Sequence, residues 1–463
     1  MAPRMQIARA LARTRKVDFP KLPELFGYWL DPKEPSEGHF YDRIFTPVRV
    51  FWMFLAQTLS ADGACREALS DLLGWLSFEE QVEVSPNTSA YCQARGRLPK
   101  GWIESLAAQV VNHLEEMAAG LWLWHGRRVK VLDGSTISMP DTASNQKLWP
   151  QPSGCKAGCG FPVLRLVCTF CLSTGSMVSW SLGSLLDDER SLWRRQWMHL
   201  QAQDILLADR GFSSFADYWL LTQLGVDCVM RLQQKRAACS RLVKQLGKND
   251  RLVEWVKNGV CPKWMTDEQW QALPETILVR EITYDVPIAD FRTKSIIVAT
   301  TLLDPVAYPT AEFAQLFRRR WQVELYLRDI KTSLRMDVLR CKSPKMIEKE
   351  LLMHVIAYNL IRGLMLEAAE VHAVSPDQLS FKGALTFVRT WAPMIASQSD
   401  PGNIDRLQKS LLHYIARMRV GQRPNRNEPR ARKRRPKNYQ LLGAPRHEFK
   451  EIKHRNKSKK VKS

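Results

Sequence analysis

The chain has 463 residues, 45% hydrophobic and 25% charged, which suits a soluble globular protein with room for two to four domains. Ten scattered cysteines in so long a chain argue for a reducing compartment and against a disulfide framework. The formal charge of +21 points to phosphate backbones or anionic surfaces as partners. No run reaches the roughly 18 uncharged apolar residues of a membrane span: LLMHVIAYNLIRGLMLEAA is broken by His354, Asn359 and Arg362 and reads as a buried helix.

The opening MAPRMQIARALARTRK is arginine-rich with no acid before Asp18. It superficially suits a transit peptide; a DNA-touching arm accounts for it equally and agrees with the basic far end of the chain. Residues 1–125 read as a helical N-terminal DNA-binding domain, with RIFTPVRVFWMFLAQTL and CREALSDLLGWL as apolar-periodic segments.

The pattern then changes. RRVKVLDGSTI reads as a strand ending at Asp133, with Gly134 and Ser135 as a turn. FPVLRLVCTFCL and SMVSWSLGSL are two further strands, and DDERSLWRRQWMHL is a helix with acids at its start. DILLADRGF is a short buried strand with Asp209 at its end; SFADYWLLTQLG is a helix and VDCVMRLQ a strand. Three strands, helix, strand, helix, strand is the order of a ribonuclease-H-like mixed sheet with helices on its faces, which gathers strand-end residues at one rim.

Residues 126–232 form the first part of that α/β core. Residues 233–304 read as an inserted β-rich subdomain, and 305–415 as the second part of the core with its helices. Residues 416–463 form a basic tail expected to be largely disordered without a partner. From Arg417 onward 18 Lys or Arg stand against Glu428, Glu448 and Glu451. Cys155, Cys159, Cys168 and Cys171 have loosely zinc-like spacing, but Cys168 and Cys171 lie three apart on a strand and point to opposite faces, a poor geometry for one ion.

In RRRWQVELYLRDIKTSL, helical periodicity puts Phe317, Arg320, Glu324, Arg328 and Lys331 on one stripe amid apolar neighbours. A solvated face with an ion pair is the ordinary account of such a stripe. Asp133 and Asp209 taken singly are ordinary turn formers. Their joint placement with Glu324 at one rim suggests more. Three adjacent carboxylates stay ionised only with cations between them, and hard dications such as Mg²⁺ prefer oxygen ligands. Arg210, Arg320, Arg328 and Lys331 are then candidate phosphate contacts.

DGSTISMPD, ADRGF and RRRWQVELYLRDIKTSL resemble the three catalytic blocks of the insertion sequence four family of transposases, which carry a DDE triad on a ribonuclease-H-like core. The family signature Tyr-x2-Arg-x3-Glu-x6-Lys is met by Arg320, Glu324 and Lys331, with Phe317 in the tyrosine's place. The resemblance implies that Asp133, Asp209 and Glu324 are catalytic and hold two Mg²⁺ ions, with Mn²⁺ substituting. It further implies cleavage of double-stranded DNA at terminal inverted repeats, strand transfer into a target, a homodimer in the synaptic complex, and a bacterial cytoplasmic setting. A catalytically silent DNA-binding relative and a nuclease without strand transfer remain the alternatives. Trp255, Trp264 and Trp270 are candidates to hold an unstacked base.

Overall fold

The computed structural model describes residues 22–38, 44–79, 84–118, 122–232, 240–285, 295–398 and 400–421, with two isolated positions beyond. The N-terminal arm and nearly all of the basic tail lie outside the described residues.

Helices α1 (Pro47–Leu59), α2 (Cys65–Glu79), α3 (Ser89–Arg97) and α4 (Lys100–Met117) precede the sheet. Thr46 starts α1: its side chain accepts the Arg49 N–H, and Pro47 supplies a pre-set φ at the first helical position. Every residue of α1 is buried, as expected of a helix apolar all round.

Strands β1 (Val129–Ser138), β2 (Val163–Cys171) and β3 (Met177–Ser184) form an antiparallel meander. After helix α5 (Glu189–Arg194), strand β4 (Ile205–Ala208) lies parallel to β1; after helix α6 (Phe215–Gln223), strand β5 (Asp227–Arg231) lies parallel to β4. The order β3-β2-β1-β4-β5 is the expected ribonuclease-H-like mixed sheet.

Two expectations need correction here. First, β1 does not end at Asp133. It runs on to Ser138 because β2 pairs with it over that whole length, Asp133 opposite Cys168 and Ser138 opposite Val163. Asp133 instead lies just beyond the last residue of β1 paired to β4, Val131. Second, the β-rich stretch is not set apart. Strands β6 (Ser240–Gly247), β7 (Asp250–Val256), β8 (Thr276–Asp285) and β9 (Ser295–Thr300) continue the same sheet, β9 pairing with β5, to give nine strands in the order β3-β2-β1-β4-β5-β9-β8-β7-β6.

Side chains alternate across the sheet. Val129, Val131, Leu164, Leu166 and Phe170 join the larger core, while Leu132, Val167, Leu206 and Ala208 pack with Leu192, Trp193 and Tyr218 of α5 and α6. The segment expected as one helix is α7 (Thr310–Arg319), α8 (Gln322–Arg328) and a π-helical turn, Asp329–Ser333. Beyond it lie α9 (Pro344–Val371), α10 (Phe381–Ala396) and α11 (Pro401–Arg417).

Helix α9 is long and apolar enough to cross a membrane, yet 94% of its apolar window is buried inside the protein. Of the three polar residues that interrupt the run, Asn359 and Arg362 are hydrogen-bonded into the fold, while the buried His354 leaves Nδ1 without a partner. Asn359 donates to the Met177 carbonyl at 3.0 Å and accepts its N–H at 2.9 Å, and Arg362 donates to the Thr174 carbonyl at 3.2 Å. Such bonds remove the cost of burying amide and guanidinium groups.

Candidate active site

The sheet brings Asp133 and Asp209 to neighbouring positions, because β1 and β4 are adjacent and parallel and Asp209 follows Ala208 directly. Asp133 Oδ1 accepts the Gly134 N–H at 2.8 Å, and its Oδ2 faces Arg320 Nη1 at 3.9 Å. Burial pushes the Asp133 carboxyl up to about 6; the Glu324 and Asp209 carboxylates add to the rise, and the Gly134 N–H and Arg320 oppose it. Asp209 faces Arg231 Nη1 at 3.9 Å. Glu324, in the first turn of α8, is exposed.

Helix geometry decides which cations join them. Between α7 and α8 the backbone tightens to i→i+3 bonds, Arg320 N–H to Phe317 O at 3.1 Å and Glu324 N–H to Trp321 O at 3.2 Å. It then widens into the π turn, closed by the Leu334 N–H to Asp329 O bond at 3.1 Å. Members of the stripe differ in what they meet. Arg320 reaches Asp133, and Lys331 donates to Ser135 Oγ at 2.9 Å and to the Thr136 carbonyl at 3.0 Å. Arg328, 57% exposed, pairs instead with its neighbour Asp329 at 3.6 Å. Phe317 is buried against Tyr284, ring centroids 6.3 Å apart. Arg210 is exposed in a short 3₁₀ turn after Asp209.

Two residues escaped the sequence reading. Trp321 is 58% exposed although it sits beside Arg320, whose guanidinium lies 5.7 Å from its ring centre. Its signal was an aromatic residue inside a charged stripe. Tyr284, with Arg231, Arg318 and Arg320 near its hydroxyl, is placed by sheet pairing and left no local signal.

Of the three tryptophans considered as holders of an unstacked base, Trp255 is buried and Trp264 and Trp270 are half-buried. Trp255 is 1% exposed and donates to Glu281 at 2.9 Å, Trp264 lies under Arg194 at 3.7 Å, and Trp270 faces Lys257 at 5.9 Å. Among the described residues no three His, Cys, Asp or Glu side chains stand at metal-binding spacing. The four cysteines with zinc-like spacing are free thiols.

The donor set still suits a hard dication: all oxygen, mutually repelling, and with guanidinium groups at 3.9 Å from two of the three acids where cations would otherwise stand.

This carries a stability consequence. Asp133 holds its proton more tightly folded, at about 6, than at its ordinary value of 3.8, so its contribution is present below about pH 4 and is lost as pH rises through 6. In magnesium-free buffer, Asp133→Asn should therefore gain stability over the wild type between pH 4 and 7, by about 2 kcal/mol at the upper end. Urea unfolding of both proteins across that range checks it; a constant difference would remove the buried-acid account.

A ribonuclease-H-like mixed sheet with Asp133 inside β1, Asp209 directly after the adjacent β4, and Glu324 on α8 has the layout of the DDE class. The chain belongs to the Transposase DDE domain family, which matches residues 124–360, just over half its length. It is 26% identical over 363 residues to the transposase InsG for insertion sequence element IS4 of Escherichia coli (strain K12), covering 76% of this chain and 77% of that protein. The expected likeness to insertion sequence four transposases is thus borne out. A solved piggyBac transposase synaptic complex with hairpin DNA is similar over 88% of this chain and 85% of that one, at 8% identity and a TM-score of 0.43. At that level the strand order, and not the match, defines the fold.

Proposed function

We propose that this DDE-family protein cuts DNA at the terminal inverted repeats of an insertion sequence and joins the freed 3′ ends to a target. Asp133, Asp209 and Glu324 are the catalytic carboxylates and would hold two Mg²⁺ ions, with Mn²⁺ substituting. Bound there, a dication pair would activate the attacking water or 3′-hydroxyl and stabilise the leaving oxygen. The observation that supports this reading is the half-buried Asp133 carboxyl, pushed up to about 6 first by burial and further by the charges of Glu324 and Asp209, which belong to two other segments of the chain.

Within the chain's own residues the roles divide by chemistry. Arg320, 3.9 Å from the Asp133 carboxylate, carries a planar fork suited to a phosphate bound at that rim. Lys331 places a point charge at the same rim, and the exposed Arg210 and Arg328 are cations for the flanking backbone. Trp321 offers an exposed face to a base beside the scissile phosphate. The helical region 1–125 reads the DNA ends, and two protomers pair in the synaptic complex, acting in the bacterial cytoplasm. Incubation with Mg²⁺ and an oligonucleotide bearing the element's repeats should yield nicked ends and, with target DNA, joined products. Binding without nicking would leave only a DNA-binding relative.

The basic tail should supply sequence-independent affinity. Residues 421–463 hold 16 Lys or Arg and three acids. Removing them should weaken DNA binding and flatten the log–log salt dependence by roughly 0.9 for each phosphate the tail neutralises. Anisotropy titrations at several salt concentrations measure this; an unchanged slope would show that the tail does not touch phosphates.

A further inference from the structure

Asp133 and Ser135 are alternate residues of β1 and share one side of the strand. Both meet the same helical run. Arg320 stands 3.9 Å from the Asp133 carboxylate, and eleven residues later Lys331 donates to Ser135 Oγ at 2.9 Å and to the Thr136 carbonyl at 3.0 Å. At about 3.6 residues per turn, eleven residues make close to three turns, so helical spacing already sets Arg320 and Lys331 on one face. The run is tightened by i→i+3 bonds before α8 and widened by a π turn after it, and the Lys331 ammonium rests on β1.

We propose that Ser135 is a positioning residue for Lys331, holding its ammonium at the rim where the scissile phosphate binds. The proposal rests on the reading of that rim as the cleavage site. A lysine carries its charge on a flexible four-carbon stem, so without an anchor the charge is spread over many positions. Two of its three N–H donors are directed at β1. One acceptor is a backbone carbonyl that any residue would supply; the other exists only because residue 135 carries a hydroxyl. Ser135 is half-buried and small, so its loss leaves the strand pairing with β2 intact.

Ser135→Ala should bind end DNA with near wild-type affinity and cleave it at saturation roughly ten- to a hundredfold more slowly, the range expected when a phosphate-directed group is displaced by about an ångström. Ser135→Thr, which restores the hydroxyl, should recover most of the rate. In a Lys331→Ala background, Ser135→Ala should cost nothing further, because the two act as one unit. A merely structural role for Ser135 predicts an additional loss there, and that result would overturn the proposal. So would wild-type cleavage by Ser135→Ala.

A readout independent of cleavage separates this idea from the function it rests on. Acylation of Lys331 by an amine-reactive ester, followed by mass spectrometry, should be several-fold faster in Ser135→Ala than in the wild type or Ser135→Thr. If the wild-type protein cleaves nothing, the cleavage reading fails, while the footprint still decides whether Ser135 anchors Lys331; equal acylation in all three proteins would refute the anchor.

Discussion

Glu324→Gln should lower strand cleavage by at least about a thousandfold, equivalent to about 4 kcal/mol of transition-state stabilisation, while DNA affinity stays within a fewfold of wild type. The two effects separate because they rest on different groups. DNA affinity comes from a chain with a net charge of +21, to which one carboxylate contributes little. In the proposed mechanism cleavage depends on Asp133, Asp209 and Glu324 together, and removing one charge from that set would weaken dication binding. Glutamine matches glutamate in size, and residue 324 is exposed, so stability should change by less than about 0.5 kcal/mol. Gel assays of end-DNA nicking beside anisotropy titrations test both halves. Residual cleavage within tenfold of wild type would remove Glu324 from the catalytic set.

Arg280→Ala should destabilise the protein by about 3–5 kcal/mol, the range for breaking a buried pair on one side. Arg280 is fully buried in β8, with Nε at 2.9 Å and Nη2 at 2.5 Å from the Asp250 carboxylate in β7. Its Nη1 donates to the Asp304 and Tyr308 carbonyls at 3.2 and 2.8 Å, and Asp250 also accepts from Thr310 at 2.6 Å. One guanidinium thus clips the outer strands to the start of α7, the helix that leads to Arg320. Truncation leaves a buried carboxylate without its cation and two carbonyls without donors. A double variant, Arg280→Met with Asp250→Leu, should recover a large part of the loss, because both charges then leave together. Urea denaturation provides the comparison; a loss below about 1 kcal/mol for Arg280→Ala would mean that the pair is not buried in solution.

Much of the fold was legible because it is written in local periodicity. Strand candidates carrying Asp133 and Asp209, separated by helices, pointed to a mixed sheet, although β1 runs on past Asp133 to Ser138. The polar breaks in α9 argue against a membrane span on sequence grounds alone. Less legible was the length of β1. Gly134 and Ser135 are turn formers by composition, yet the antiparallel partner β2 draws them into the strand, and pairing between residues 25 to 41 positions apart leaves no local mark.

The outer strands were recognisable as strands, but not as a continuation of the core sheet. That depends on β9 meeting the free edge of β5. The helix bearing Glu324 was recognisable as a helix, but no glycine or proline marks its tightening at Arg320 or its widening at Asp329. Both departures accompany contacts to β1, so the strand and the helix can be understood only together.

The sequence by itself determined the class of fold and the likeness to a transposase family, because these follow from periodic burial and from spaced motifs. Only the tertiary structure decided which cations stand beside which acids. It turned Arg320 and Lys331 onto β1, left Arg328 outside, exposed Trp321 and buried Trp255. The physical reason is that periodicity sets a side chain's angle about its own helix or strand axis, whereas its neighbours across space depend on how separate elements dock, and docking is an energy shared by residues far apart in the chain.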